Sequence, residues 1–384
     1  SKCLRWWMSC TAPDIRFAKD TDGDGVADEH EVVFTGFQRS NVQGLLNSFR
    51  WGLDNRIHGA TSSSGGEIHH VAEPDLPPVS LNGRDFAIDP RTRRLVATSG
   101  GAQHGLSFDD YGNKFVCSNS DHIQQVMFED RYLARNPYVA APGARRSIAA
   151  DGPQAEVYRT SPVEPWGIVR TRLRKQGLLS CPVKAGDRAA GYFTGATGVT
   201  IYRGDAWPEE FHGNAVIGDV GSNIVHRKRI DRSGIEFVAE RARPMTEFVT
   251  STDIWFRPAQ FANAPDGGLY VVDVYREVIE HPKSLAPVIK KHLDLTSGRD
   301  RGRIYRVVPK DFAQTPPPRL DEATTEALVA ALAHPNGWHR DTAARLLYER
   351  QDRAAIQPLE ELVTTSDSPL AKIHGLAALA GFDA

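Results

Sequence analysis

Oxygen-bearing side chains recur at fixed intervals near the start of the chain. Asp20 to Glu31 reads DTDGDGVADEHE, with Asp20, Asp22, Asp24, Asp28 and Glu31 at loop positions 1, 3, 5, 9 and 12. Gly25 takes position 6, where the turn is sharp, and the Val26 carbonyl takes position 7. Ca²⁺ needs roughly six to eight hard oxygen ligands, and this spacing supplies them from one segment. The flanks DIRFAK and VVFTGF read as strands. The loop is therefore expected to close a hairpin and to serve structure, since no helix pair exists for it to open. A solvated acidic turn without metal is the competing reading.

A second group is denser. Asp253, Arg257, Asp273, Tyr275, Arg276, Glu277, Glu280 and His281 bracket the hairpin FANAPDGGLYVVD, and His226 and Arg227 precede it. Arginines beside acids and histidine suit an anionic cofactor or a sugar. They equally suit salt bridges between sheets, with Asp273 bonding backbone amides at a turn. His104, in GAQHG, opens a strand. An unperturbed imidazole titrates near neutrality, which suits either a base or a hydrogen-bonded structural group. Gly65-Gly66 and Gly100-Gly101 lack the spacing of a phosphate loop.

Two rhythms position these residues, and they meet near Thr315-Pro316-Pro317-Pro318. Before that run, strand-length apolar stretches alternate with Asp, Asn or Gly turns, as in FAIDPRTRRLVATSG (86–100), LSFDDYGNKFVCSN (106–119) and FANAPDGGLYVVDV (261–274). Such pairs are hairpins. Their recurrence over residues 1–315 points to radial repetition, an all-β propeller, rather than a β-sandwich. At ~40–50 residues per blade that length holds about six blades.

From 316 to 384 the period turns helical. Ala327, Leu328, Ala331 and Leu332 share a face, as do Ala343, Leu346 and Leu347; Ile356, Leu359 and Leu362; and Ile373, Leu376 and Leu379. Leu347 and Leu379 superpose at a short HEAT-type repeat length. A four-helix bundle is the alternative. So small a helical region is expected to pack on the propeller or to continue further.

Composition narrows the function classes. A net charge of −2 over 384 residues gives no electrostatic footprint for nucleic acid. Hydrophobic residues at 40% exclude a disordered chain. No apolar run reaches the ~18–20 residues that would cross a bilayer. The four cysteines, Cys3, Cys10, Cys117 and Cys181, form no CxxC or CxxCH, and their pairing stays open. Ser1 is not a start methionine, and IHGLAALAGFDA stops within or just after a helix, so the sequence reads as a piece of a longer chain.

Longer strings carry a resemblance. GRDFAIDP (83–90), SGGAQHGLSFDDYGNKFVCSNSDHIQQV (99–126), GYFTGATGVTIYRGDAWP (191–208) and GDVGSNIVHRK (218–228) belong to it. STDIWFRPAQFANAPDGGLYVVDVYREVIEHP (251–282) and TSGRDRGRIYRVVP (296–309) complete it. Together they resemble the large membrane-bound-dehydrogenase-type proteins of planctomycetes and verrucomicrobia. The resemblance implies a six-bladed propeller similar to the soluble quinoprotein glucose (aldose sugar) dehydrogenases. HEAT-like repeats and a cytochrome c domain with a CxxCH haem site usually follow. On this reading the chain is a fragment lacking roughly one blade and the haem c domain, which leaves strand edges open.

The activity so implied is oxidation of a sugar or alcohol with pyrroloquinoline quinone (PQQ). Ca²⁺ polarises the quinone, electrons pass to the cytochrome c domain, and the location is periplasmic or otherwise extracytoplasmic. His104 takes the place of the base, with Arg257 and Asp253 beside it; His226, Arg227, Asp273, Arg276 and His281 hold the cofactor. Two rivals stand: a non-catalytic carbohydrate- or protein-binding propeller, and a Ca²⁺-dependent hydrolase or lactonase. Fold alone does not separate them. Convergence of His104, His226, Arg257 and Arg276 at one channel mouth would favour the first, an aromatic strip the second, a carboxylate cage the third.

Overall fold

The computed structural model describes residues 6–133, 135–136, 138, 140, 142–179, 188–314, 316 and 318–383. Cys3, Cys181, Thr315 and Pro317 lie outside them; Cys10 and Cys117 are free thiols. β1 (Trp6–Thr11), β2 (Asp14–Lys19) and β3 (Glu29–Phe37) begin a first sheet, and β4 (Asn47–Trp51) and β5 (Ile57–Ala60) a second. β6 (Gly66–His70) and β7 (Val79–Ser80) return to the first, and β8 (Asp85–Asp89) and β9 (Arg94–Thr98) complete the second. The third sheet is β10 (Leu106–Phe108), β11 (Lys114–Ser118), β12 (Asp121–Val126) and β13 (Arg145–Ser147). β14 (Ala196–Ile201), β15 (Ala215–Asp219), β16 (Ile224–Ser233), β17 (Glu236–Arg241) and β18 (Val249–Thr250) form the fourth. β19 (Pro258–Asn263), β20 (Leu269–Asp273) and β21 (Arg303–Val307) form the fifth.

Sheets two to five are antiparallel and grow outward in chain order from β4, β10, β14 and β19. Those four strands meet in sequence around one axis. Gly105 N donates to Asn47 Oδ1 (3.1 Å), Gly198 N to the His104 carbonyl (2.9 Å), and Asn263 Nδ2 to the Ile201 carbonyl (2.9 Å). Arg50 Nη2 then reaches from β4 to the Phe261 carbonyl on β19 (2.9 Å). The approach is close enough to require glycine: a Cβ on Gly198 (φ +65°) would lie 2.6 Å from the Ala259 carbonyl oxygen.

The sequence expectation was a six-bladed ring opened by one missing blade. Among the described residues four sheets contribute a strand to this axis, and the Arg50 side chain of β4 spans to β19. The first sheet packs against the second through Phe34, Phe37, Phe86 and Ile88, with the Phe37 and Phe86 rings 5.6 Å apart.

Helix also enters residues 1–315, which the sequence pattern read as all-β. Besides the single turn α1 (Asp130–Leu133), α2 (Pro165–Lys175) runs for three turns' length from Pro165, and α3 (Pro287–Lys290) packs near it. Proline in the first turn costs nothing there, because that N–H has no helical partner.

α4 (Thr325–Ala331), α5 (Gly337–Arg350), α6 (Ile356–Thr365) and α7 (Pro369–Ala380) fall where the apolar period and its breaks place them. α4 pairs with α5 and α6 with α7 around Leu328, Leu332, Leu347 and Leu359. The group covers one end of the axis and touches all four sheets. Asn55 Nδ2 donates to the Ala377 carbonyl (2.7 Å) and Tyr348 OH to Asp89 (3.1 Å). Gly337 N donates to the Arg203 carbonyl (2.7 Å), and Asn336 Nδ2 to that of Ala264 (3.1 Å).

The anchor is Asp110, whose carboxylate accepts from Arg203, from Arg340 and from His212 (2.7 Å). Arg203 also forks onto Asp341 of α5 (2.6 and 3.0 Å). Burial works against ionisation of Asp110. The His212 hydrogen bond and the two guanidinium charges outweigh it and hold its pKa well below the ordinary carboxylate range.

Candidate functional site

The inner strands begin at one end of the axis and finish under the helices at the other. At their starts lies a cavity of about 270 Å³. Gln43 reaches it ahead of β4, His104 ahead of β10, Thr197 on β14 and Ala259 on β19, with Asn119, Thr194 and Glu280 around the rim. All are neutral except Glu280, which pairs with Arg170 of α2 at 2.7 Å.

His104 is the chemically informative group. Its Nδ1 lies 2.8 Å from Thr197 Oγ1, and that hydroxyl lies 3.0 Å from the Ala259 carbonyl oxygen. With the Thr197 hydroxyl donating to the Ala259 carbonyl, its nearer acceptor carbonyl, its lone pair receives the Nδ1 proton of His104, the tautomer on which the reading of this site rests. Nε2, without a partner among the described residues, then carries the lone pair. Burial, with a smaller contribution from the Arg50 charge, pushes the His104 pKa down to about 4. The ring is neutral at physiological pH, with its Nε2 lone pair free to accept a hydrogen bond.

Buried groups brace the wall. Asp219 accepts from the Thr194, Gly195 and Gly221 amides (3.0, 3.2 and 2.8 Å), tying the start of β14 to the turn after β15. Arg257 is fully spent behind the same wall. Its guanidinium donates to Glu164 (3.2 Å) and to the carbonyls of Val220 (2.7 Å), Arg276 (3.0 Å) and Glu277 (2.6 Å). With every arm engaged and 1% exposure, it positions the wall and does not touch a ligand.

The other expected residues disperse. Asp273 accepts from the Arg257 and Tyr275 amides (both 2.8 Å), the turn role weighed from sequence. Asp253 accepts from Tyr275 OH (2.9 Å) at the surface, Arg276 reaches the Thr296 carbonyl (3.4 Å), and His281 accepts on its carbonyl from Ser284 N (2.8 Å). His226 is buried in the fourth sheet against Glu247 and the Phe193 ring. Arg227 lies 3.8 Å over the Phe211 ring in a different cavity. Of the residues singled out from sequence, His104 and Glu280 line the mouth among the described residues. Gln43, Asn119, Thr194 and Thr197 were missed; the run Thr194-Gly195-Ala196-Thr197-Gly198, small residues opening an inner strand, was the available signal.

The acidic loop departs from its pattern at position 12. Asp20, Asp22 and Asp28 bring carboxylate oxygens within 4.8 Å of one another. Asp24 caps Val26 N (2.7 Å). Glu31 instead lies on β3 opposite Phe17 and pairs with Arg93 at 2.7 Å. β3 starts at Glu29, so alternation along the strand removes Glu31 from the cluster. The loop lies on the outer sheet, away from the mouth.

Buried neutral histidines make the protein acid-sensitive. Burial pushes His374 down to about 4, as it does His104, and lowers His122 and His226 as well. Below an ordinary value near ~6.5 the unfolded chain takes up protons that the native state refuses. Their stabilisation is complete above that value and is lost as pH falls toward about 4. His374 alone contributes about 3 kcal/mol. Denaturant midpoints are expected to fall steadily between pH 7 and pH 4.5, and His374→Gln to flatten that slope.

The family described as Domain of unknown function (DUF7133) matches residues 7–311, so the chain belongs to that family. No curated protein matches in sequence. Solved structures similar to the chain include a Thermus thermophilus protein named as an oxidoreductase (glucose dehydrogenase). It is 14% identical, with a TM-score of 0.41, over 79% of this chain and 78% of that one. The apo soluble aldose sugar dehydrogenase of Escherichia coli is 14% identical, with a TM-score of 0.36, over 70% and 74%. A further glucose dehydrogenase is 15% identical, with a TM-score of 0.31, over 71% and 94%. At these scores the likeness carries no argument about the site.

Proposed function

We propose that this family member binds a neutral hydroxylated small molecule, a sugar or alcohol, at the channel mouth. There His104 takes the hydroxyl proton, while the hydride must pass to a separate two-electron acceptor of the quinone class that this lining does not itself hold. The observation that carries the reading is the Ala259–Thr197–His104 chain, which leaves Nε2 as the acceptor. Gln43, Asn119 and Thr194 supply donors and acceptors suited to an uncharged polyol, and Glu280 with the neutral rim disfavours an anion.

PQQ, which the sequence resemblance implies, carries three carboxylates and calls for arginine or lysine. None lines the mouth, and Arg257 is committed to the wall. The lining does not fit that group, and no step is derived through it. A cytochrome c domain as electron acceptor, an extracytoplasmic location and a HEAT-type continuation of the helix pairs rest on the resemblance alone. The cation-free mouth favours a second reading, a carbohydrate-binding propeller without turnover. The hydrolase reading finds no carboxylate cage here, since Glu280 is the single carboxylate on the mouth lining among the described residues.

Calorimetric titration with neutral sugars and alcohols, paired with dye reduction with and without added PQQ, separates these readings. Saturable binding with turnover supports the dehydrogenase, binding without turnover the binding module, and no binding removes both.

The acidic loop retains Ca²⁺ as a structural proposal, through Asp20, Asp22, Asp24, Asp28 and the Val26 carbonyl, without Glu31. Saturating Ca²⁺ is expected to raise the thermal midpoint over that in chelator, and Asp20→Asn to remove the rise. Equal midpoints in Ca²⁺ and chelator would leave a plain acidic turn.

A further inference from the structure

A second chamber lies at the opposite end of the axis, where the inner strands finish beneath α5. It encloses about 220 Å³ between the ends of all four inner strands and the first turns of that helix. Its lining is unlike that of the mouth. Trp51 from β4 and Trp338 from α5 supply flat apolar faces, Ser107 and Thr342 supply hydroxyls, and Arg50 supplies a cation. Neither indole N–H has a hydrogen-bond partner among the described residues.

The charges around it do not balance. Arg203 and Arg340 are matched by Asp110 and Asp341 through the contacts already described. Arg50 makes no direct ion pair among the described residues; the Asp341 carboxylate, which with Arg203 also lines the chamber, acts on it through space but is held by Arg203. Two of its N–H groups reach the carbonyls of Phe49 (3.0 Å) and Phe261 (2.9 Å), and burial pulls its pKa down to about 10. A surplus guanidinium at the wall of a half-open, aromatic-sided cavity is a receptor for one negative charge on a ring-sized body. Two tryptophans and two hydroxyls in one lining suit the C–H faces and O–H edges of a sugar ring better than a bare aromatic one.

We propose that this chamber between ring and helices binds a carboxylated sugar, with Arg50 taking the carboxylate and Trp51 and Trp338 flanking the ring. Such a ligand touches the ends of the inner strands and α5 at once, so its occupancy tightens the docking of the helices on the ring. This site is separate from the mouth and does not depend on the function proposed there.

The test is a tryptophan-fluorescence titration of the whole chain with D-glucuronate, benzoate and D-glucose. Glucuronate is expected to give a saturable change, glucose none in the same range, and benzoate a weaker one. Arg50→Gln should weaken glucuronate at least tenfold, Arg50→Lys less, and His104→Gln not at all. Thermal melts establish that each variant is folded, and glucuronate should raise the wild-type midpoint but not that of Arg50→Gln. No saturable response to glucuronate overturns the proposal. So does equal binding of glucose, tighter binding of benzoate, or full affinity in a folded Arg50→Gln. Loss of the response in His104→Gln would assign the signal to the mouth and likewise overturn it.

Discussion

Asp110→Ala is expected to lower the unfolding free energy by about 3–5 kcal/mol. The carboxylate is 7% exposed and is the shared acceptor of Arg203, Arg340 and His212. Its loss strands Arg340, whose side chain is wholly buried, with neutral acceptors alone: the His334 and Pro335 carbonyls (2.6 and 2.7 Å) and the His374 Nε2 (3.3 Å). A buried ion pair is modest evidence of net stability, but removing one partner leaves an uncompensated charge, and that is costly. Because Asp110 belongs to the third sheet's hairpin and Arg340 to α5, the loss falls on the docking of helices to ring. Chemical denaturation followed by tryptophan fluorescence and by helical circular dichroism should show the helical signal lost first. Asp341→Ala is expected to cost less, since that side chain is 28% exposed and Arg203 keeps Asp110. An Asp110→Ala midpoint unchanged from wild type would mean that the helices are held by their apolar and backbone contacts alone.

His104→Gln is expected to reduce turnover of the mouth's substrate by roughly 10²–10⁴-fold while leaving its affinity within a few-fold. Glutamine keeps the polar character of the side chain but offers no basic lone pair. The effect belongs in kcat, because the imidazole acts on the proton that moves in the reaction rather than on the resting hydroxyl. Thr197 positions the ring. Thr197→Val should lower kcat with KM held, and Thr197→Ser, which keeps the hydroxyl, should restore it. Because the His104 pKa sits near 4, the acid limb of activity should follow the stability loss driven by His122, His226 and His374 rather than titration of the base. Retained turnover in His104→Gln would reduce His104 to a structural group.

Much of the fold was legible because its determinants are local. Asp-Gly and Asn-Lys turns such as those in FANAPDGGLYVVD and FDDYGNKFV set β19–β20 and β10–β11. The breaks at His334–Gly337 and Ser366–Pro369 separated the helices, with Asn336 and Ser368 as caps. What escaped was set by distant contacts. Thr197 lies 93 residues from His104, Asp110 lies 230 from Arg340, and Arg50 meets Phe261 211 residues away. The cluster around Arg257 was dense in sequence because a hairpin end crowds charges together. Folding turned those charges into the wall, where carbonyls and Glu164 consume them. Glu31 was misassigned for a related reason. A loop motif read along the chain does not register where the following strand begins, and β3 begins two residues before Glu31.

The most direct test of the mouth reads the His104 ring itself. In protein labelled with ¹⁵N-histidine, His104 is expected as the neutral Nδ1–H tautomer near pH 6, its Nε2 unprotonated. That Nε2 resonance should shift on saturation with a neutral sugar or alcohol that the protein binds. A proton found on Nε2, or an Nε2 signal that no neutral sugar or alcohol perturbs, would contradict the assignment of His104 as the base of a hydroxyl-binding site.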